Sequence, residues 1–256
     1  AIVSQCRYGR PSQIVTAIKK LGFYEVVEAA LGADITLHKE AEEFKEKGLM
    51  TTSCCPSFVM YIEKNFPTLQ KHISHTPSPM IETARLIKRN DPTAKVIFIG
   101  PCSSKKAEFR MEKTGGAIDC VMSFEELQAF VDSFDIDTAQ CEDTQLDNAS
   151  FYGRIFAKSG GIARGISDLA EEMDIDNLKP LVMNGIDECK VALLKLRANR
   201  IDANFFEGMA CEGGCINGAL CITHMNQNVV DVEKYANEAQ EKTIHNSLKL
   251  YNIGKS

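Results

Sequence analysis

Tryptophan is absent from this 256-residue chain. Also absent is any apolar run long enough to cross a bilayer, which excludes a membrane-spanning helix. No basic segment followed by an apolar stretch and a cleavage site opens the chain, so no export signal is read. An excess of positive charge is missing too. Lys and Arg number 29 against 35 Asp and Glu, for a net charge of -6, which leaves no electrostatic footprint for nucleic acid. No C-x2-C-x2-C run of the ferredoxin type occurs. Internal repeats and low-complexity stretches are lacking. The opening, AIVSQCRYGRP, reads like the interior of a domain.

Cysteine, by contrast, is abundant. The ten are Cys6, Cys54, Cys55, Cys102, Cys120, Cys141, Cys189, Cys211, Cys215 and Cys221. A chain of this size without an export signal is a poor candidate for a secreted disulfide framework. Metal binding, catalysis and buried small hydrophobes remain as readings. Cys120, Cys189 and Cys221 read as buried thiols, and Cys141 as incidental in the polar stretch 135–150, expected to be a surface loop. The five histidines show no ligand spacing that competes with cysteine.

Strand–loop–helix units dominate, which predicts an α/β fold of two lobes with mainly parallel sheets flanked by helices. The lobes are expected to change near residue 90, with a metal cluster in the cleft between them. Ile14, Ala17, Ile18 and Leu21 recur at helical spacing, ended by Gly22. GFYEVVEAALGADIT reads as a strand-like piece and a loop, and LHKEAEEFKEKG as a helix ending at Gly48. AKVIFIG reads as a buried strand. SFEELQAFVDSF carries a capping box from Ser123 to Glu126. LVMNGI and ANFFEGM read as strands, ECKVALLKLRANRI as a helix, and the tail from Asp231 as one amphipathic helix. In parallel folds, ligands bind where loops leave the C-terminal ends of strands. The cysteine pieces fall there.

Three loops stand out: TTSCCPSF (Thr51–Phe58), FIGPCSSKKAE (Phe98–Glu108) and EGMACEGGCINGAL (Glu207–Leu220). On a helix, Cys211 and Cys215 would share one face. Gly213 and Gly214 between them would let a bulky inorganic body approach the backbone. Zinc more often shows C-x2-C pairs; one pair plus single cysteines after strands suits an iron–sulfur cluster.

The three loops resemble, in order and in internal spacing, the signature stretches of the FeFe-hydrogenase catalytic domain, T-S-C-C-P-x-W, P-C-x-x-K-x-x-E and E-x-M-A-C-x-x-G-C. LGFYEVVEAALGADIT, SPM and FAKSGG extend the resemblance along nearly the whole chain, 1–256, as a single domain. The resemblance implies an H-cluster: a 4Fe-4S cubane joined through a cysteine thiolate to a diiron unit with CO, cyanide and a bridging azadithiolate. Cys55, Cys102, Cys211 and Cys215 would hold the cubane, with Cys215 bridging. That Cys215 argues against the eukaryotic relatives that assemble iron–sulfur proteins without a diiron unit. Lys105 would donate to a cyanide, a role that suits a compact ammonium. Met209, Phe156 and Met80 would pack at the diiron unit, Ser159 would lie in a turn against the cluster, and Gly100 and Pro101 would line it.

Cys54 would pass protons to the bridging amine, its thiol expected to titrate near enough to neutrality for reversible transfer. Glu40, Ser74 and Glu43 would continue the path. The resemblance further implies reversible interconversion of H2 with protons and electrons, a cytoplasmic setting in an anaerobe, and no nucleic-acid or membrane partner. Electrons would come from an iron–sulfur carrier protein or a ferredoxin-type domain preceding the chain.

Several positions depart from the family pattern. Gly100 stands in place of a methionine and is expected to leave open space. Met80 replaces glutamine and Phe58 replaces tryptophan. The glycine run and proline after the third motif are missing, and VSQCR departs from the usual opening. Such changes resemble the divergent subgroups to which slow turnover and hydrogen sensing are ascribed. A regulatory H2 sensor with a signalling partner, and a protein holding the cubane alone, are the alternatives to a turnover enzyme. Cys6 is a further candidate beside the cluster.

Overall fold

The computed structural model describes residues 1–6, 8–251 and 253; Arg7 of the VSQCR stretch lies outside them. Apolar spacing on the first long segments sets the helices. Along the chain come α1 (Ile2–Gln5), α2 (Pro11–Lys20), α3 (Ala29–Lys47), β1 (Met50–Thr51), α4 (Pro56–Asn65) and α5 (Pro79–Asn90). Then follow β2 (Ile97–Ile99), α6 (Ser103–Glu108), β3 (Cys120–Met122), α7 (Phe124–Ser133), α8 (Phe151–Ile155) and α9 (Gly161–Glu172). The chain continues through β4 (Pro180–Asn184), α10 (Ile186–Arg197), β5 (Phe205–Met209), α11 (Gln227–Asn237) and α12 (Ile244–Leu250). Among the described residues, no helix is long and apolar enough to cross a membrane.

The strands form two parallel sheets, ordered β1-β5-β4 and β2-β3. The α/β fold with parallel sheets between helices is therefore as expected. Because successive side chains on a strand alternate in direction, β5 feeds two cores. Phe205 packs among Leu31, Leu37, Phe44 and Ile166 on one face, with the Phe44 ring edge-on at 5.9 Å. Phe206 packs among Phe58, Ile62, Met183 and Leu193 on the other. The small sheet is likewise covered on two sides. Val96 and Val121 meet Met80, Ile81 and Ala84, while Ile97, Ile99 and Met122 meet Ile14, Ile18 and Leu127. The three-stranded sheet draws strands from both sides of residue 90.

Several elements differ from expectation. GADIT is the interior of α3, not a loop. Its buried Asp34 and Thr36 break the apolar period, but tertiary partners satisfy them. Asp34 accepts from Ser150 N (2.8 Å), Ser150 Oγ (2.6 Å) and Ser247 Oγ (2.7 Å), and Thr36 donates to the Pro77 carbonyl. The tail forms two helices rather than one. The backbone between them is drawn off to residues 147–151, with Phe151 N donating to Glu241 O (3.0 Å), and Thr243 caps the second helix. The β2 strand is half-buried rather than buried. Its partner β3, not anticipated, leaves Cys120 exposed where a buried thiol was expected. In the polar stretch 135–150, Cys141 is buried, because Gln13 reaches from α2 to the carbonyls of Ala139 and Cys141. The Ser123–Glu126 capping box forms, with Glu126 N donating at 3.1 Å and Glu126 Oε2 accepting at 2.7 Å.

The α3–α5 crossing is held close by Gly32. A Cβ there would collide with the Pro79 carbonyl and Thr83 Oγ1. Gly32→Ala should therefore destabilise the protein by about 1–3 kcal/mol through overpacking, seen as a lowered urea midpoint with an unchanged slope.

Candidate metal centre

The sheet order determines which loops meet. Since β1 and β4 both run parallel to β5, the loops leaving β1 and β5 emerge at the same edge. Thr52 ties them: its N–H donates to Phe206 O (3.0 Å) and its hydroxyl accepts from Gly208 N (3.1 Å). The loop after β2 joins through its own bonds. The Pro101 carbonyl accepts from Leu220 N (2.9 Å), and the hydroxyls of Ser57 and Ser104 are hydrogen-bonded. Cys55 and Cys102 occupy the capping positions at the N-termini of α4 and α6, beside unpaired backbone N–H groups that favour negative charge.

The segment from Cys211 to Cys215 is not helical. Gly213 and Gly214 have φ of +79° and +84°, and Cys215 starts a short 3-10 turn. The space a side chain would take at Gly214 is filled by the protein itself. A Cβ there would lie 2.6 Å from Ser159 N, 2.7 Å from Met209 Sδ and 2.8 Å from Ala157 O. The FAKSGG turn is thus clasped onto this loop, with Ser159 N donating to Gly213 O (3.1 Å) and Ile216 N to Ala157 O (3.2 Å).

Cys55, Cys102, Cys211 and Cys215 lie within one another's fields. Burial pushes the Cys215 thiol up strongly, and Cys55 and Cys102 push it further. Burial followed by the same two neighbours raises Cys211. Among the described residues no three His, Cys, Asp or Glu side chains stand close enough to hold a single metal ion. Four thiolates that each bind a different iron of a cluster stand further apart than four around one ion. All ten cysteines are free. The soft, mutually repelling donor set and the buried, unpartnered Ser159 Oγ fit an iron–sulfur cluster.

Lys105 is buried, and its ammonium donates to Glu108 Oε2 (2.6 Å) and to the Cys54 carbonyl (3.0 Å). Burial alone would lower its pKa, but Glu108 outweighs this and raises it. The pair leaves one of three ammonium donors uncommitted. Met209 and Phe156 share a core cluster with Cys54, while Met80 sits in a different one, beneath the small sheet. Gly100 leaves no open space: a Cβ there would collide with the Phe98 ring, which occupies the volume expected to be empty. Cys6 is buried among Ile14, Ile18 and Met122.

Cys54 is buried beside Glu40 and Cys55. Burial first, then those neighbours, push its thiol well above the usual range. It is a held proton, not the near-neutral group expected. Glu40 is fully buried and pushed up to about 8, chiefly by burial. It accepts one long hydrogen bond, from Ser53 N (3.4 Å), and its Oε2 has no partner. Ser74 Oγ donates to Glu43 Oε2 (2.6 Å). Burial would raise Glu43, but Lys47, Ser74 and His75 hold it below the usual range. Of the four residues of the expected path, Ser74 and Glu43 are joined by a hydrogen bond, while Glu40 and Cys54 are buried neighbours that act on each other's charge.

Sequence reasoning assigned no role to Glu108, Glu207 or Asn184. Glu108 is three residues after Lys105, a helical neighbour that the spacing itself offers. Glu207 is buried, accepts from Gly160 N and Ala163 N (both 2.7 Å), and is pushed up to about 7 by burial. Asn184 Oδ1 accepts from Gly213 N (2.6 Å); nothing local in the sequence marks it.

The fold is that of known hydrogenases. The structure matches an apo FeFe-hydrogenase HydA1 variant of Chlamydomonas reinhardtii with a TM-score of 0.75 at 19% identity, covering 96% of this chain and 83% of that one. The family model "Iron only hydrogenase large subunit, C-terminal domain" matches residues 7–219, and the chain belongs to that family. It is 29% identical over 255 residues to iron hydrogenase 1 of Clostridium pasteurianum, spanning 80% of this chain and 44% of that protein. It is also 33% identical over 117 residues to the cytosolic Fe-S cluster assembly factor NAR1 of Kluyveromyces lactis, covering 44% of this chain and 25% of that protein. The chain spans less than two thirds of the curated relatives it matches. Membership implies iron–sulfur clusters.

Two outcomes follow from the geometry. Glu108→Ala would leave the Lys105 ammonium buried without a counter-charge, at a cost of about 3–5 kcal/mol, read from chemical denaturation of the cluster-free protein. Glu40 binds its proton more tightly folded than unfolded, so its contribution to stability falls as pH rises from about 4.5 to about 8. Glu40→Gln should flatten the decline in urea midpoint across that window.

Proposed function

We propose that this chain is the catalytic domain of a hydrogenase that interconverts H2 with protons and electrons at an H-cluster. The observation that carries the reading is the buried Cys54–Glu40 pair beside the four-thiol set, leading through Ser74 to Glu43. A protein that merely stores or assembles a cubane has no use for a buried line of proton carriers. Cys55, Cys102, Cys211 and Cys215 would hold the cubane, Cys215 also bridging to the diiron unit. When bound, that unit supplies the redox chemistry of hydrogen, which no side chain provides.

The protein's share is to position and to move protons. Lys105 presents an ammonium in a dry pocket, kept charged by Glu108, as a donor for an anionic ligand. Met209 and Phe156 exclude water, and Met80, Gly100 and Pro101 shape the surroundings more remotely. Ser159 offers an unpaired hydroxyl. Cys54 holds a proton against ionisation. Glu40, at about 8, both accepts and donates near neutral pH, and Ser74 links it to Glu43, which keeps its charge at the surface. Electrons would come from an iron–sulfur carrier or a ferredoxin-type domain of a longer protein, in the cytosol.

The likeness to NAR1 favours a second reading, a non-catalytic cubane protein, and the departures at Gly100, Met80 and Phe58 suit a hydrogen sensor. One preparation separates the three. After maturation the protein should carry six irons, show CO and cyanide infrared bands, and evolve H2 from a reduced dye. Cys54→Ala should cut that rate by about a hundredfold or more while the bands remain. Four irons without the bands would establish the cubane protein; bands with very slow turnover would favour the sensor.

A further inference from the structure

The proton path has a surface end that the reading above leaves open. Glu43 lines a groove of about 420 Å³ with Lys39, Glu42, Glu46 and Lys47 of α3 and with His75 and Thr76 of the following loop. His75 immediately follows Ser74, and its side chain is 82% exposed. Its backbone N–H donates to both Glu43 oxygens (2.9 and 3.1 Å), which fixes the residue against the carboxylate. Its ring nitrogen Nδ1 lies 3.4 Å from Glu43 Oε1 and 3.5 Å from Lys47 Nζ. One nitrogen thus stands between an acceptor and a donor, with the rest of the ring in water.

We infer that His75 is the port through which protons pass between bulk water and the Glu43–Ser74–Glu40–Cys54 line, a role that rests on the hydrogenase reading. With its proton on Nδ1, the ring can donate to Glu43 Oε1 and offers Nε2 to water. Uptake of a proton at Nε2 and release of the Nδ1 proton to Glu43 move one proton inward and leave the ring neutral. In that tautomer Nδ1 accepts from Lys47 instead, and exchange with water restores the first. The reverse sequence exports a proton. Imidazole suits the task because its two nitrogens face different partners and its charge changes near neutral pH. Glu43, kept charged by Lys47, Ser74 and His75, passes the proton on without storing it. Glu42, Glu46 and Lys39 share the groove and set the local field.

The test has two arms. In the matured protein, His75→Ala should lower hydrogen evolution roughly tenfold, with the deficit growing above neutral pH, and added imidazole should restore the rate. A merely structural role would not be rescued. In the cluster-free protein, the ring 15N shifts of His75 should show the Nδ1–H tautomer losing share in Glu43→Gln and gaining share in Lys47→Met, as weakening the acceptor and removing the donor beside Nδ1 require. An active wild-type protein whose His75→Ala variant keeps its rate and pH profile, a deficit that imidazole does not repair, or a ring indifferent to Glu43→Gln would each overturn the port alone. A matured wild-type protein without hydrogen turnover would bring down the hydrogenase reading, and the port with it, because no reaction would then draw protons.

Discussion

Parallel pairing of β5 on both sides is the constraint from which the site follows. All five of its residues are buried, and its partners β1 and β4 run in the same direction. Parallel strands end on one edge, so the TTSCC loop and the EGMACEGGC loop have no alternative but to meet. The two faces of β5 also anchor the helices. Phe205 and Phe206, adjacent in sequence, sit in separate cores, and α3 brings Glu40 and Glu43 to the edge where Cys54 lies. Fold and site are therefore one arrangement.

Charge at the edge is governed by desolvation and repaired by local partners. Buried thiols and carboxylates rise together. Cys54, Cys215, Glu40 and Glu207 all hold protons more firmly than they would in water. Only where a cation or several donors intervene does the direction reverse, as at Glu43. Glu40 inside thus retains its proton more firmly, while Glu43 in the surface groove is held below the usual carboxylate range. Lys105 is the complementary case, a buried cation that stays charged because Glu108 is one helical turn away. Neither arrangement adds much to stability by itself, since buried ion pairs roughly offset their own desolvation.

The departures from the family pattern are accommodated by neighbours. Gly100 does not open a void, because the Phe98 ring lies over it. Phe58, where the pattern has tryptophan, is wholly buried, and its ring fills the space over Gly208. Met80 lies in the core under the small sheet. All three positions are closely packed by their neighbours, as a protein interior requires.

What the sequence determined by itself is what local spacing encodes: the helix of α2, the Ser123 capping box, β4, β5 and α10, and the three cysteine loops that mark the family. Where buried polar residues interrupt the apolar period, local reading failed. Asp34 and Thr36 look like loop residues until Ser150, Ser247 and Pro77 arrive from elsewhere in the chain. Long-range partners also decided the break in the C-terminal helix, the depth of Cys141 and the exposure of Cys120. They decided the protonation of Cys54 and Glu40 as well, because desolvation depends on what surrounds a group. Residues such as Asn184 and Glu207 act on backbone far away in the chain, and only the folded chain brings them there.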